Sequence, residues 1–185
     1  MKKLVLALFF VSFAFSSKAQ IVDFSNAHIH VTKELKSPFR ETYIRLIQEE
    51  IKKRTELNLR VQDQSDAIPM IALAFATDQN LHGIPLPQLP KNSPAFAKEG
   101  YALSIDARTK KPILWLIGGD ERGILYSIGE FFRKAHLSKN KILVDKKYEV
   151  AVSPLHTIRG HQLGYRNTAN SWDAWDPKQY EQYIR

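Results

Sequence analysis

The sequence predicts a mixed α+β domain, an α/β layer in which a sheet packs against two helices, and three observations carry that prediction. Residues 113–135 read ILWLIGGDERGILYSIGEFFRKA: a continuous apolar run, a glycine pair, then apolar residues at helical spacing. Residues 101–106 and 113–117 are two β-rich runs joined by a short polar turn, the pattern of a hairpin. Residues 38–54 hold a second helical pattern. A strand feeding a helix is half of an α/β layer, so the remaining chain must supply further strands and that second helix.

At the N-terminus, Met1-Lys2-Lys3 precedes LVLALFFVSFAF and then Ser16-Ser17-Lys18-Ala19. A basic start, a short apolar run and small residues at Ser17 and Ala19 spell a secretory signal peptide, residues 1–19, cleaved after Ala19. The apolar run falls short of the ~20 residues a spanning helix needs, so no membrane association is expected after cleavage. The chain holds no cysteine, which excludes disulfides, thiolate metal sites and a lipid-bearing cysteine. Export without disulfides fits a bacterial periplasm or the cell exterior. The formal net charge of +8 raises nucleic acid as a partner. Its basic residues are dispersed in pairs such as Lys52-Lys53 and Lys146-Lys147, however, so solvated faces account for them and no nucleic acid is expected.

In chain order, Ile29 and Val31 mark a first strand, with His28 and His30 together on its other face. Two readings fit that pair, a metal site lacking a clear third ligand or two polar-face histidines; the zinc requirement for more ligands favours the second. Ser37-Pro38 can cap and open the helix of 38–54, in which Phe39, Tyr43, Ile44, Ile47 and Ile51 recur on one side. Residues 57–61 alternate like an edge strand, and 68–76 (IPMIALAFA) read as an internal strand whose Pro69 suggests a start at the sheet margin. Residues 77–98, with Pro85, Pro87, Pro90 and Pro94, read as a long surface loop, an insertion. After the hairpin, Asp120 is the N-cap candidate of a helix that buries Ile124, Leu125, Ile128, Phe131 and Phe132 and leaves Arg122, Glu130, Arg133 and Lys134 outside. Residues 142–144 form a last short strand, and 146–153 a linker ended by Pro154.

Beyond Pro154 the character changes. Residues 157–176 mix glycine, charge and aromatics, with Trp172, Asp173, Trp175 and Asp176 showing no apolar period. Asp176-Pro177 then supplies an N-cap and first-turn proline for a helix carrying Tyr180, Tyr183 and Ile184. This segment reads as the first strand, loop and helix of a second, truncated domain.

Glu99-Gly100-Tyr101, the apolar strand after it, and Gly119-Asp120-Glu121-Arg122-Gly123-Ile124-Leu125-Tyr126 resemble the EGY…GxDxRGxLYG pattern of a small accessory domain. That domain precedes the catalytic barrel of β-N-acetylhexosaminidases of glycoside hydrolase family 20 and of α-glucuronidases. The resemblance spans residues 22–148 and continues in Pro154…Ile158-Arg159-Gly160, which resembles the Pro…Arg-Gly start of the first barrel strand. It implies an α/β sandwich over residues 20–150, the truncated start of a (β/α)8 barrel over 155–185, and an N-terminal fragment of an exported polysaccharide-degrading hydrolase acting on an oligosaccharide or polysaccharide. After Arg159-Gly160 the chain reads His161-Gln162-Leu163-Gly164-Tyr165-Arg166 rather than the Asp and Arg-His of hexosaminidases, so both specificities stay open.

By the same resemblance Arg159 binds sugar hydroxyls, for which a guanidinium offers several donors in fixed geometry; a salt bridge at the barrel floor is the alternative. Glycoside hydrolysis needs two carboxyl groups flanking the scissile bond, and in a barrel they come from the ends of several strands. No catalytic residue, metal or cofactor is therefore assigned. Asp176 reads as a cap, Asp173 as a loop residue, and Trp172 and Trp175 as either a sugar platform or core packing. Two other classes compete with this reading. One is a free-standing secreted carbohydrate- or protein-binding module without catalysis. The other, a metallopeptidase, requires a motif such as HExxH, which none of His28, His30, His82, His136, His156 and His161 provides.

Overall fold

The computed structural model describes residues 20–64, 69–108, 111–160 and 175–184. It divides into two compact units, one ending at Ser153 and the other starting at Pro154.

The first unit opens with two short strands, β1 (Ile21–Asp23) and β2 (His28–Val31), and the helix α1 (Phe39–Thr55). Strand β3 (Met70–Phe75) follows, then the two-residue strands β4 (Asn80–Leu81) and β5 (Ile84–Pro85). The hairpin β6 (Tyr101–Asp106) and β7 (Ile113–Gly118) leads into helix α2 (Glu121–Lys134). Strands β8 (His136–Ser138), β9 (Lys141–Asp145) and β10 (Val150–Val152) complete the unit. The main sheet has the order β10-β6-β7-β3-β2, with β2, β3 and β7 parallel and both β6 and β10 antiparallel to their neighbours. Strands β1, β9 and β8 form a separate antiparallel sheet. The architecture is the expected mixed α+β class, a mixed sheet packed against few helices.

Alternation along the strands divides the interior in two. Ile29, Val31, Ile71, Leu73, Leu103, Leu114 and Leu116 point to one side, where they meet Tyr43, Ile47 and Ile51 of α1 and Ile124, Ile128 and Phe131 of α2. Ile142 and Val144 from the small sheet join this core. Met70, Ala72, Ala74, Ala102, Ile113, Trp115 and Ile117 point to the other side, where Leu81 and Ala95 cover them and Ile84, Leu86 and Leu89 pack at the margin. The proline-rich stretch is therefore the second covering layer of the sheet and not a surface insertion. Prolines lack a backbone donor, and the segment crosses this face as a hairpin and turns without adding a strand to the main sheet. Coverage on both faces is why β3 and β7 read as unbroken apolar runs.

Several expectations need correction. Residues 57–61 form no edge strand: a single bridge pairs Val61 with Ile29. Strand β3, by contrast, is the internal strand expected of residues 68–76: it lies between β2 and β7, and Pro69 just before it removes no ladder donor. Pro38 stands at the N-cap of α1 and no side chain caps that end, so Ser37 does not serve as expected. The stretch 146–153 is no free linker, because β10 within it pairs with β6 and carries the unit to Ser153. Glu130 is buried rather than outside its helix, held in a polar cluster described below. Among the described residues no helix is long and apolar enough to cross a membrane.

Candidate functional site

The motif residues converge at one corner of the first unit. The Asp120 side chain begins α2 by accepting the amide of Gly123 at 2.8 Å, and its other oxygen accepts the amide of Glu99 at 2.8 Å. Arg122 Nη1 donates to Glu99 Oε1 at 2.6 Å, and the amide of Gly119 donates to the carbonyl of Gly100 at 2.8 Å. A Cβ on Gly100 would meet the Pro94 carbonyl oxygen at 2.0 Å, and one on Gly119 the Ala97 carbonyl oxygen at 2.3 Å. Only glycine lets these backbones approach so closely. The Tyr43 hydroxyl of α1 donates to the Glu121 carbonyl at 3.0 Å, which ties α1 to the same corner. Glu99, Asp120, Arg122 and the glycines of the motif are thus occupied in joining β6, β7, α2 and the proline segment. Their chemistry is architectural.

A second polar cluster binds the end of the unit to α2. Glu130 accepts a short hydrogen bond from the Tyr148 hydroxyl and bonds from Arg133 Nε at 3.0 Å and Arg133 Nη2 at 2.5 Å. Burial pushes the Glu130 carboxyl up, but the bonds from Tyr148 and Arg133 outweigh it and hold the group below its usual range. Burial and the Glu130 carboxylate both push the Tyr148 phenol up, and burial with Glu130 does the same to Tyr101. The cluster anchors residues 146–152 beside α2, and all its members are engaged with one another.

His28 and His30 share the strand face that the alternation predicts, in register with Met70 and Ala72. That face turns inward, so His30 is fully buried rather than solvated. Its ring meets the ring of His82 edge-on, centroids 5.5 Å apart. Among the described residues no three His, Cys, Asp or Glu side chains are grouped to hold a metal ion. Beside the histidines lies a small polar cleft lined by Thr32, Lys33, Glu34, Asp78, Asn80 and His82. A wider groove runs between residues 84–88, the end of β6 and residues 146–149. On its wall Asp106 is paired with Arg108 at 2.6 Å. Neither cleft is legible in the sequence, because each includes residues of the proline segment brought against distant elements by the fold.

In the second unit, Arg159 is exposed and its Nη1 donates to the His156 carbonyl at 2.6 Å. Residues 154–160 are irregular, and the expected barrel strand, Trp172 and Asp173 lie in or extend into 161–174, outside the described residues. Asp176 is the cap of α3 (Pro177–Ile184): Oδ1 accepts the Gln179 amide at 2.8 Å, and Gln179 Oε1 accepts the Asp176 amide at 2.8 Å. This reciprocal pair is a capping box, which occupies the carboxylate structurally. Trp175 packs edge-on against Tyr180, centroids 5.4 Å apart.

The chain matches the structure of CpGH84B, a glycoside hydrolase of family 84, with a TM-score of 0.52 at 15% identity. The match covers 89% of this chain and 24% of the other, so the chain spans about a quarter of that enzyme's length. The fold is therefore one found within a glycoside hydrolase. No protein-family model and no curated protein sequence matches the chain.

Proposed function

We propose that residues 20–153 are the non-catalytic N-terminal domain of an exported glycoside hydrolase, and that 154–185 begin its catalytic barrel. The observation that carries this reading is the fold likeness to part of a glycoside hydrolase, in a chain whose tightest interlock is the EGY…GDERG motif. The interlock gives the motif a structural role in a domain that does no chemistry. Leu155 and Ile158, 95% and 92% exposed, support further packing beyond Pro154.

In this reading the substrate is an oligosaccharide or polysaccharide, hexosaminide or glucuronide, and the signal peptide delivers the enzyme to the periplasm or the exterior. The two carboxyl groups that hydrolysis needs belong to later barrel strands. Arg159 contributes hydroxyl recognition from the start of the first strand. Its exposure leaves the guanidinium able to exchange the His156 carbonyl for a sugar.

The deciding experiment is the mass of the native secreted product, by immunoblot against residues 20–153 and intact mass spectrometry, with assays on chromogenic N-acetylhexosaminides and glucuronides. A product several hundred residues longer that cleaves one of these substrates, and whose R159A variant loses about tenfold or more in kcat/KM while staying folded, is the expected result. A mature product ending at Arg185 overturns the hydrolase and leaves the secreted binding module in its place.

A further inference from the structure

The β4–β5 hairpin turns through His82 and Gly83, both at positive φ (51° and 82°), as a type I′ turn requires. Asparagine is the residue best suited to the first of these positions, and Asn80 already supports the turn by accepting the Gly83 amide at 3.2 Å. The chain instead places a histidine there and folds its ring inward. The ring rests edge-on against buried His30, and its Nε2 is buried with no hydrogen-bond partner. The hairpin it closes belongs to the segment covering the second core, with Leu81 beside it 2% exposed. A neutral imidazole suits this position, and a cation does not. Lys33 and Arg40 both act against a charge on His82. The opposing carboxylate, Asp63, is already held by Arg40 at 3.0 Å. Of the two carboxylates lining the cleft, Asp78 accepts the Phe75 amide at 2.9 Å and Glu34 lies 3.9 Å from Lys36.

We propose that His82, seated on His30, is an acid-sensitive latch that holds residues 77–98 over the second face of the sheet and releases them as the pH falls. Closed, the segment covers Met70, Ala72, Ala74, Ala102 and Trp115. Opening frees the His82 ring to take up a proton in water, and exposes that apolar face. Burial lowers the His82 pKa in the closed form. The open form therefore binds the proton first, and acid favours opening by mass action. The dependence begins as pH falls through the ordinary histidine range near 6.5 and grows up to about tenfold per pH unit below it.

Hydrogen exchange of the full chain, followed by mass spectrometry between pH 8 and pH 5 and corrected for intrinsic rates, tests the latch. In the natural chain, amides of 77–98 should lose about tenfold or more in protection from pH 7 to pH 5, while α2 keeps its own. The H82N variant retains a side chain suited to positive φ and cannot titrate. Its protection in 77–98 should depend less steeply on pH than in the natural chain, because His30 alone is left to take up a proton on opening. Equal pH dependence in both chains, or none in the natural one, overturns the proposal.

Discussion

Asp120 holds Glu99 by its backbone: the Glu99 amide donates to Asp120 Oδ2 at 2.8 Å while Oδ1 caps the helix through Gly123. One carboxylate thus closes the gap between the residue that precedes β6 and the residue that starts α2. Glu99 sits at a positive φ of 57°, a conformation few non-glycine residues adopt, and its side chain is tied down by Arg122. The corner therefore carries local strain that its hydrogen bonds offset.

Removing the bridge should be costly in proportion to the bonds lost. D120A forfeits both a cap and the Glu99 contact and should lower stability by about 2–3 kcal/mol, whereas D120N keeps one acceptor and should lose roughly half of that. Urea unfolding of the three chains gives the order directly. Equal stability of D120A and the natural chain would mean that water replaces the bridge.

Glycine substitutions separate close approach from simple helix propensity. G119A drives a Cβ into backbone carbonyls and should cost about 3 kcal/mol or more, since neither oxygen belongs to a flexible side chain. In G129A the nearest atom is the Arg133 side chain at 3.7 Å, and a helical glycine becomes alanine. It should gain about 0.5–1 kcal/mol. Thermal melts of the two variants should shift in opposite directions.

The covering role of the proline segment has its own test. Leu81 is 2% exposed against the second core, so L81A should destabilise the unit by about 2–4 kcal/mol. A value under about 0.5 kcal/mol, typical of surface positions, would return the segment to the status of an insertion.

The Glu130 cluster predicts a pH dependence of defined sign. The folded carboxyl lies below its ordinary value of 4.5. Its contribution is therefore fully present above that pH and is lost as pH falls below 4.5 through the folded value. The stability gap between the natural chain and E130Q should be constant from pH 7 to about pH 5 and shrink in more acidic solution. Denaturant midpoints measured across pH 7 to 3 decide it; a gap unchanged to pH 3 would show that Glu130 carries no ionisation-linked stability.

The local elements were legible in the residues themselves. The apolar period of α2, its Asp120 cap, the β6–β7 hairpin and the Asp176-Pro177 start of α3 are set by neighbours a few positions apart, and sequence displays such relations directly. Alternation likewise put His28 and His30 on one strand face. What that face meets was not legible, because the answer comes from His82, more than fifty residues later. The same holds for the proline segment, which has neither a helical nor a strand period and reveals its layer only where Leu81 and Ala95 reach the sheet. Glu130 misled in the same way. A charged residue on a helix reads as exposed until Tyr148 and Arg133 are seen to satisfy it. By itself the sequence determined the class of the fold, the ends of its principal helices and the motif that its corner is built on. Tertiary structure alone decided which faces are covered and which polar groups are buried. Burial depends on segments distant in the chain closing over one another, and no local pattern records that.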